Sequence, residues 1–175
     1  MKLLLSTLVI MFFAGSSMAQ YNPLWIKHCR NIPTTPESYK GFATTLESKV
    51  AMSPDDDELN FLLAVSYLGI DEKDRAKKIF DELAGAAGTK ASIKVEAENY
   101  KKFMETNNPG QVKIAIKYLN LKKAPDDDAP LKGRVYQDAE FSVIEEQGDW
   151  LYIVNVGNQG WVSRGDDLNP NVKGI

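Results

Sequence analysis

The sequence contains one cysteine, Cys29, and one histidine, His28, among its 175 residues. A single cysteine excludes an internal disulfide, and a single histidine excludes a histidine-rich metal site. A Cys–His catalytic pair requires its two side chains to meet. These residues are adjacent, and neighbouring side chains on a helix point about 100° apart. We therefore expect Cys29 to pack on the same helix face as Trp25 rather than to act in catalysis.

Other patterns that carry catalysis are also missing. The sequence has no Gly-x-Ser-x-Gly motif, no phosphate-binding glycine loop and no spaced cluster of metal ligands. The aspartate runs 55–57 and 126–128 lack the spacing, glycine turn and closing glutamate of a calcium loop. We interpret the first run as the acidic start of a helix and the second as a solvated loop. We expect no enzymatic activity, no cofactor and no bound metal.

Neither half of the chain has an excess of positive charge. The net charge is −3, and residues 20–110 hold 12 basic and 14 acidic side chains, while residues 111–175 hold 8 and 10. Proteins that bind nucleic acid neutralise its phosphates with clustered lysine and arginine. The composition therefore excludes nucleic acid as a partner and is typical of a soluble protein with a mixed surface.

The long apolar run of the sequence, residues 3–14, stands directly after Lys2. Small residues follow at Ser17 and Ala19, three and one positions before Gln20. A basic start, a short apolar core and small residues at the exit are typical of a cleavable secretory signal. We predict cleavage after Ala19, a mature chain without membrane insertion, and a periplasmic or extracellular location.

Residues 20–108 carry apolar side chains at helical spacing, and the runs follow residues that commonly cap helices. The expected helix starts are Asn22-Pro23, Thr35-Pro36, Ser53-Pro54, Asp71 with Asp74, and Thr89. Proline is favoured in the first helical turn, and acidic residues there interact well with the helix dipole. The pattern predicts an antiparallel helical domain.

Residues 57–88 resemble one tetratricopeptide repeat, which is a helix–turn–helix unit. The family places a leucine, a small residue and an aromatic on its first helix, and a small residue and an aromatic on its second. The matching residues are Leu63, Ala64, Tyr67, Ala76 and Phe80. Asn60 and Gly88 depart from the pattern, where a large aromatic and a proline are usual. A single repeat offers little of the groove in which the family binds peptides, so we interpret this unit mainly as a packing domain.

The apolar period changes from helical to alternating after the loop signal at residues 107–110. Short alternating segments separated by Gly, Asn and Asp turns follow, which predicts a small antiparallel β-barrel. Three motifs in residues 112–168 resemble the bacterial SH3-type domain: LNLKKAP at 119–125, EEQGDWLYI at 145–153 and GNQGWVS at 157–163. Lys122 replaces the family's usual arginine, and residues 138–140 replace its Gly-Thr or Gly-Asp.

The predicted fold class is therefore α+β. We expect a signal peptide over residues 1–19 and a helical, tetratricopeptide-like domain over residues 20–108. The resemblance implies an SH3-like β-barrel over residues 111–170.

The resemblance to bacterial SH3-type domains also implies a non-catalytic binding module, because such domains commonly bind cell-wall peptides or glycans. Flat aromatic side chains with amides beside them would supply the contacts. The candidate ligand-binding residues are Tyr136, Tyr152, Trp150, Tyr118, Asn155 and Asn158. Trp161, and alternatively Trp150, are expected in the barrel core.

Three hypotheses on function remain open at this point. The first is a binding or adaptor protein of the bacterial envelope that contacts peptidoglycan or a protein partner. The second is a periplasmic inhibitor or immunity protein that binds a cell-wall hydrolase or a secreted toxin, since an acidic surface suits a basic target. The third is a dimer cross-linked through Cys29.

Overall fold

The computed structural model describes residues 23–106, 110–165 and 170–174. The predicted signal sequence and its cleavage point lie outside these residues. The helices are α1 (Pro23–Cys29), α2 (Pro36–Met52), α3 (Asp57–Gly69), α4 (Lys73–Gly85) and α5 (Ala91–Glu105). The strands are β1 (Gly110–Ile114), β2 (Tyr118–Lys122), β3 (Leu131–Tyr136), β4 (Glu140–Gln147), β5 (Trp150–Asn155), β6 (Asn158–Ser163) and β7 (Val172–Gly174).

The strands form one antiparallel sheet in the order β3-β2-β6-β5-β4-β1-β7. The sheet is curled into a half-barrel, and its register shifts between Leu121 and Lys122 in the β2–β3 pair and between Val143 and Glu145 in the β4–β5 pair. Five helices followed by this sheet, in the described part of the chain, confirm the predicted α+β class. The half-barrel is consistent with an SH3-like architecture.

The helix starts show which side chains act as caps. Thr35 was expected to begin α2, and its hydroxyl accepts the N–H of Ser38 while the Ser38 hydroxyl accepts the N–H of Thr35. The prediction that Ser53 begins α3 is wrong. The N–H of Ser53 instead closes α2 by donating to the carbonyl oxygens of Lys49 and Val50. Asp56 caps α3, because its carboxylate accepts two N–H groups of the first turn.

The starts of the last two helices also differ from the prediction by one or two residues. Asp71 lies in the turn before α4 with φ of 62°, and Glu72 precedes the helix without a side-chain cap hydrogen bond. Lys90 rather than Thr89 precedes α5. Gly85 ends α4 as its position predicts.

The helix pair α3 and α4 corresponds to the segment that resembles a tetratricopeptide repeat. α3 is buried on nearly all sides, whereas α4 buries one face that includes Ala76 and Phe80. Helix–turn–helix pairs also occur in unrelated helical domains. The membership of this pair in the repeat family therefore stays a prediction. In the part of the chain that the structure describes, no helix has the length and apolar character to cross a membrane.

The hydrophobic core is shared between the helices and the sheet. Trp25, Phe61, Phe80 and Tyr100 are buried between the helices, and Phe80 stacks on Tyr100 with ring centroids 5.1 Å apart. The same cluster continues into β5 and β6. Its members there are Tyr152, Val154 and Trp161. A second cluster lies inside the curled sheet. The elements change from helix to strand between α5 and β1, but the division into two separate domains stays a prediction.

Candidate ligand-binding site

The six predicted ligand-binding residues lie in two different places. Trp150, Tyr152, Asn155 and Asn158 belong to β5 and β6, on or beside the part of the sheet that meets the helices. Tyr118 and Tyr136 belong to the hairpin of β2 and β3. The structure therefore does not bring the six residues together.

Tyr152 is 7% exposed and its hydroxyl is used inside the molecule. The hydroxyl accepts the side-chain N–H of Asn99 at 2.7 Å and donates to the side-chain oxygen of Gln159 at 2.9 Å. Its ring packs edge-on against Trp161, with centroids 5.2 Å apart. Burial raises the pKa of Tyr152 well above its ordinary value. Trp161 is buried, but it lies in the cluster shared with the helices and not inside the curled sheet, where it was expected.

The turn between β5 and β6 is held by two tyrosines of the helices. The hydroxyl of Tyr39 donates to the carbonyl oxygen of Val156 at 3.0 Å. The hydroxyl of Tyr100 donates to the carbonyl oxygen of Asn155 at 3.0 Å and accepts the N–H of Gly157 at 3.1 Å. These contacts fix the sheet against α2 and α5.

Three other predicted residues lie at or near the same contact. Asn158 is 2% exposed. The side-chain amide of Asn155 donates to the carbonyl oxygen of Glu140 at 3.3 Å, and Trp150 packs partly buried against the shared core. A ligand reaches Tyr152 and Asn158 only if the helices separate from β5 and β6. A binding role for these residues stays a prediction.

Tyr118 and Tyr136 lie on the outer face of the β2–β3 hairpin. They are directly opposite in the strand register, and Tyr118 is 47% exposed. Successive side chains of a strand point to opposite faces. Because Leu119 and Val135 point into the buried core, Tyr118 and Tyr136 point outward.

Two polar residues complete this surface. Arg134 and Asn120 form the next register pair on the same face of the sheet. Arg134 Nε donates to the side-chain oxygen of Asn120 at 3.2 Å. The guanidinium carbon of Arg134 lies 4.6 Å from the ring centroid of Tyr118, which is a cation–π contact. We call the surface formed by Tyr118, Asn120, Arg134 and Tyr136 the hairpin face.

The hairpin face combines flat aromatic rings with an amide and a guanidinium group. Among the described residues, no carboxylate lies within 4 Å of Arg134, so its charge has no ion-pair partner there. A ring can stack on an apolar face of a ligand, and a guanidinium group can bind a carboxylate through two parallel hydrogen bonds. Asn120 and Arg134 were missed in the sequence, although their alternation with buried neighbours gives the signal that would have found them.

The aspartate run 126–128 is organised by its own loop. The N–H of Asp128 donates to the carboxylate of Asp126 at 2.8 Å, which is a turn that aspartate commonly makes. The Lys122 ammonium group donates to the carbonyl oxygens of Asp127 and Ala129 at 2.6 and 3.2 Å. Lysine at position 122, where the family usually has arginine, thereby joins β2 to this loop.

His28 pairs with a carboxylate and not with Cys29. Its Nε2 lies 2.7 Å from Glu58 Oε2, and Glu58 also accepts hydrogen bonds from Lys27 and Lys90. Cys29 is partly buried against the core, as its helix face predicts, and this burial raises the pKa of its thiol. A higher pKa leaves less reactive thiolate at neutral pH. The dimer through Cys29 stays a prediction.

Comparison with known proteins gives one family match, which lies within the strand-forming part of the chain. No curated protein and no solved structure gives a significant match. The three sequence motifs resemble bacterial SH3-type domains over residues 112–168, and the strands of the hairpin face belong to that segment. The family model described as Bacterial SH3 domain matches residues 117–167 of this chain, a range that contains β2 to β6.

Proposed function

We propose that the protein is a non-catalytic binding protein of the bacterial envelope whose SH3 domain binds peptidoglycan through the hairpin face. The observation that carries this proposal is the stack of the half-buried Arg134 on the exposed ring of Tyr118, with Asn120 beside it. These residues lie within the matched SH3 segment. Bacterial SH3 domains are known modules that bind peptidoglycan or proteins.

The chemistry of the hairpin face is compatible with cell-wall material. Peptidoglycan offers sugar rings with apolar faces and short peptides with free carboxylates. Tyr118 and Tyr136 supply flat surface for the sugars, and Arg134 supplies a charged donor for a carboxylate. Asn120 holds the guanidinium group in place, so little side-chain freedom is lost on binding.

The position of the helices favours the hairpin face over the other candidate residues. Tyr39, Tyr100 and Asn99 occupy hydrogen-bonding groups of β5 and of the β5–β6 turn. The hairpin face needs no rearrangement before a ligand binds. The predicted signal sequence supports an envelope location, which is also where bacterial SH3 domains typically act.

The test is co-sedimentation of the purified protein with peptidoglycan sacculi. We expect the protein to pellet with sacculi, and Arg134→Gln and Tyr118→Ala each to weaken binding about tenfold, since a charged hydrogen bond contributes roughly 1.5–3 kcal/mol. Arg75→Gln is the matched control. Arg75 also stacks on a tyrosine, Tyr67, with 3.8 Å between guanidinium carbon and ring centroid, but it lies in the helices.

Binding that Arg134→Gln and Tyr118→Ala both retain at the strength of the Arg75→Gln control would contradict the hairpin face as the site. A wild-type protein that stays in the supernatant would contradict peptidoglycan as the ligand. The inhibitor or immunity hypothesis would then become the leading one, and it predicts tight binding to one protein in the absence of sacculi.

A further inference from the structure

We propose that the free edge of β3 binds an extended acidic segment of a partner protein as an additional strand of the sheet. β3 is a terminal strand in the sheet order, and it pairs with β2 along one side. In the described ranges, no strand pairs with its other side. An open strand edge is a template for pairing with another chain, because its outward N–H and C=O groups lack strand partners.

The register identifies which backbone groups point to this edge. The N–H of Gln137 donates to the carbonyl oxygen of Lys117 at 3.2 Å, next to the Tyr118–Tyr136 register pair. In antiparallel strands, hydrogen-bonded pairs alternate with pairs that are not hydrogen-bonded to each other. The pairs Tyr118–Tyr136 and Asn120–Arg134 are therefore not hydrogen-bonded to each other through their backbones. The backbone N–H and C=O groups of Arg134 and the N–H of Tyr136 point away from β2, toward the open edge, whereas the carbonyl oxygen of Tyr136 accepts the N–H of Ala139 at 3.2 Å.

β3 is long enough to hold a peptide, unlike the strand at the other end of the sheet. It has six residues, whereas β7 has three. Natural sheets commonly protect an edge by keeping its strand very short. Leu131 of β3 is 50% exposed, so an apolar side chain is available beside the open backbone groups.

The charge of β3 indicates the chemistry of the partner. The strand contains Lys132 and Arg134 and has no acidic residue. Lys132 is paired with Glu96 of α5 at 3.2 Å, while Arg134 has no carboxylate within 4 Å in the described part of the chain. Pairing β3 with β3 of a second copy would bring the two Arg134 cations onto adjacent strands, which is unfavourable. A strand that carries glutamate or aspartate would instead be attracted.

The probe for this proposal is a fluorescent peptide, acetyl-(Glu-Val)3-amide, titrated into the full protein and followed by anisotropy. We expect binding, and we expect the same peptide N-methylated at alternate residues to bind about tenfold more weakly. That factor corresponds to the loss of one or two strand hydrogen bonds. The peptide acetyl-(Lys-Val)3-amide should not bind.

Two substitutions test the edge from the protein side. Tyr136→Pro removes an outward N–H without removing a bond to β2, and proline is tolerated on edge strands. It should weaken peptide binding about tenfold, whereas Tyr136→Phe, its matched control, should leave binding unchanged. Arg134→Gln should weaken binding of the acidic peptide. Circular dichroism of each variant establishes that the sheet is intact.

The strand-addition proposal and the peptidoglycan proposal fail separately. Tyr118 lies on β2 and not at the edge, so Tyr118→Ala should weaken sacculus binding and leave peptide binding unchanged. No binding of the acidic peptide, or equal binding of its N-methylated form, would overturn strand addition. A dimer that Tyr136→Pro dissociates would also overturn it, because a second copy would then occupy the edge.

Discussion

The hydroxyl oxygen of Tyr39 lies 2.8 Å from the position that a β-carbon on Gly157 would occupy. Gly157 has φ of +95°, in a region that residues with side chains rarely adopt. Close approach and backbone conformation therefore both require glycine in the β5–β6 turn. We expect Gly157→Ala to lower the free energy of unfolding by roughly 2–4 kcal/mol, from backbone strain together with overpacking. Urea unfolding measures this change.

The control for Gly157→Ala is Gly148→Ala. Gly148 also has a positive φ, +56°, but no atom lies within 4 Å of its added β-carbon. This substitution carries only the backbone cost of about 1 kcal/mol. Equal losses at the two positions would show that the contact with Tyr39 does not restrict the turn.

Removing the hydroxyl of Tyr100 should destabilise the protein more than removing that of Tyr39. Tyr100 is 1% exposed and makes two hydrogen bonds to the β5–β6 turn, whereas Tyr39 makes one. Loss of a partner for a buried polar group costs about 1–3 kcal/mol. We expect Tyr100→Phe to lie in the upper part of this range and Tyr39→Phe in the lower part. Thermal unfolding of the two variants measures which is less stable. A Tyr39→Phe variant less stable than Tyr100→Phe would contradict this prediction.

Much of the fold follows from local patterns in the sequence. Helical spacing predicted the helices, and alternation with turn residues predicted the strands. The motifs around Leu119, Trp150 and Trp161 predicted the segment that matches the bacterial SH3 family model. Local competition between caps explains the error at Ser53, because the N–H of Ser53 already bonds to the end of the preceding helix. Asp56 then takes the capping role.

The contact between helices and sheet was not predictable in the same way. The Tyr39–Val156 and Tyr100–Asn155 hydrogen bonds join residues far apart in the chain, and neither side carries a motif for them. Alternation assigns side chains to the two faces of a strand but does not say which face another element covers. Tyr152 therefore matched the pattern of an available ligand-binding residue, although Asn99 and Gln159 occupy its hydroxyl.

Acid should weaken the fold through Glu58. Hydrogen bonds from Lys27, then His28 and Lys90, lower the pKa of Glu58 to about 2 from an ordinary 4.5. Because the folded-state pKa is lower, Glu58 stabilises the fold above the unfolded value, and this contribution is lost as pH falls from about 4.5 to 2. We expect Glu58→Gln to be less stable than wild type at pH 6, with the difference shrinking over that window.

The control for the acid prediction is Glu37→Gln. Glu37 is exposed in the first turn of α2 and has no ion-pair partner in the described residues. Urea unfolding at several pH values should show a small, nearly constant difference for this variant. A Glu58→Gln difference that stays constant from pH 6 to pH 2 would contradict the role of Glu58.

Replacing Glu96, the ion-pair partner of Lys132, by a neutral residue should make the stability of the fold depend on pH in the alkaline range. The pair joins β3 to α5, with side chains that are 19% and 18% exposed. Burial lowers the pKa of Lys132 from its ordinary 10.5, although Glu96 opposes this shift. In Glu96→Gln, Lys132 stays buried but has lost the carboxylate that compensates its charge. We expect a loss of about 2–4 kcal/mol at pH 7, since breaking a buried pair from one side leaves an uncompensated charge.

The sign of the pH dependence separates this mechanism from a simple packing defect. A lysine with a lowered folded-state pKa destabilises the fold below that pKa, and the penalty disappears as pH rises toward the unfolded value. The deficit of Glu96→Gln should therefore shrink as pH rises toward 10.5, the ordinary pKa of lysine. The double variant Glu96→Gln with Lys132→Met has no such cation, so it should lose less stability than the single variant at pH 7 and show no recovery. A deficit that is the same at pH 7 and pH 10 would mean that Glu96 stabilises the junction through packing and not through the charge of Lys132.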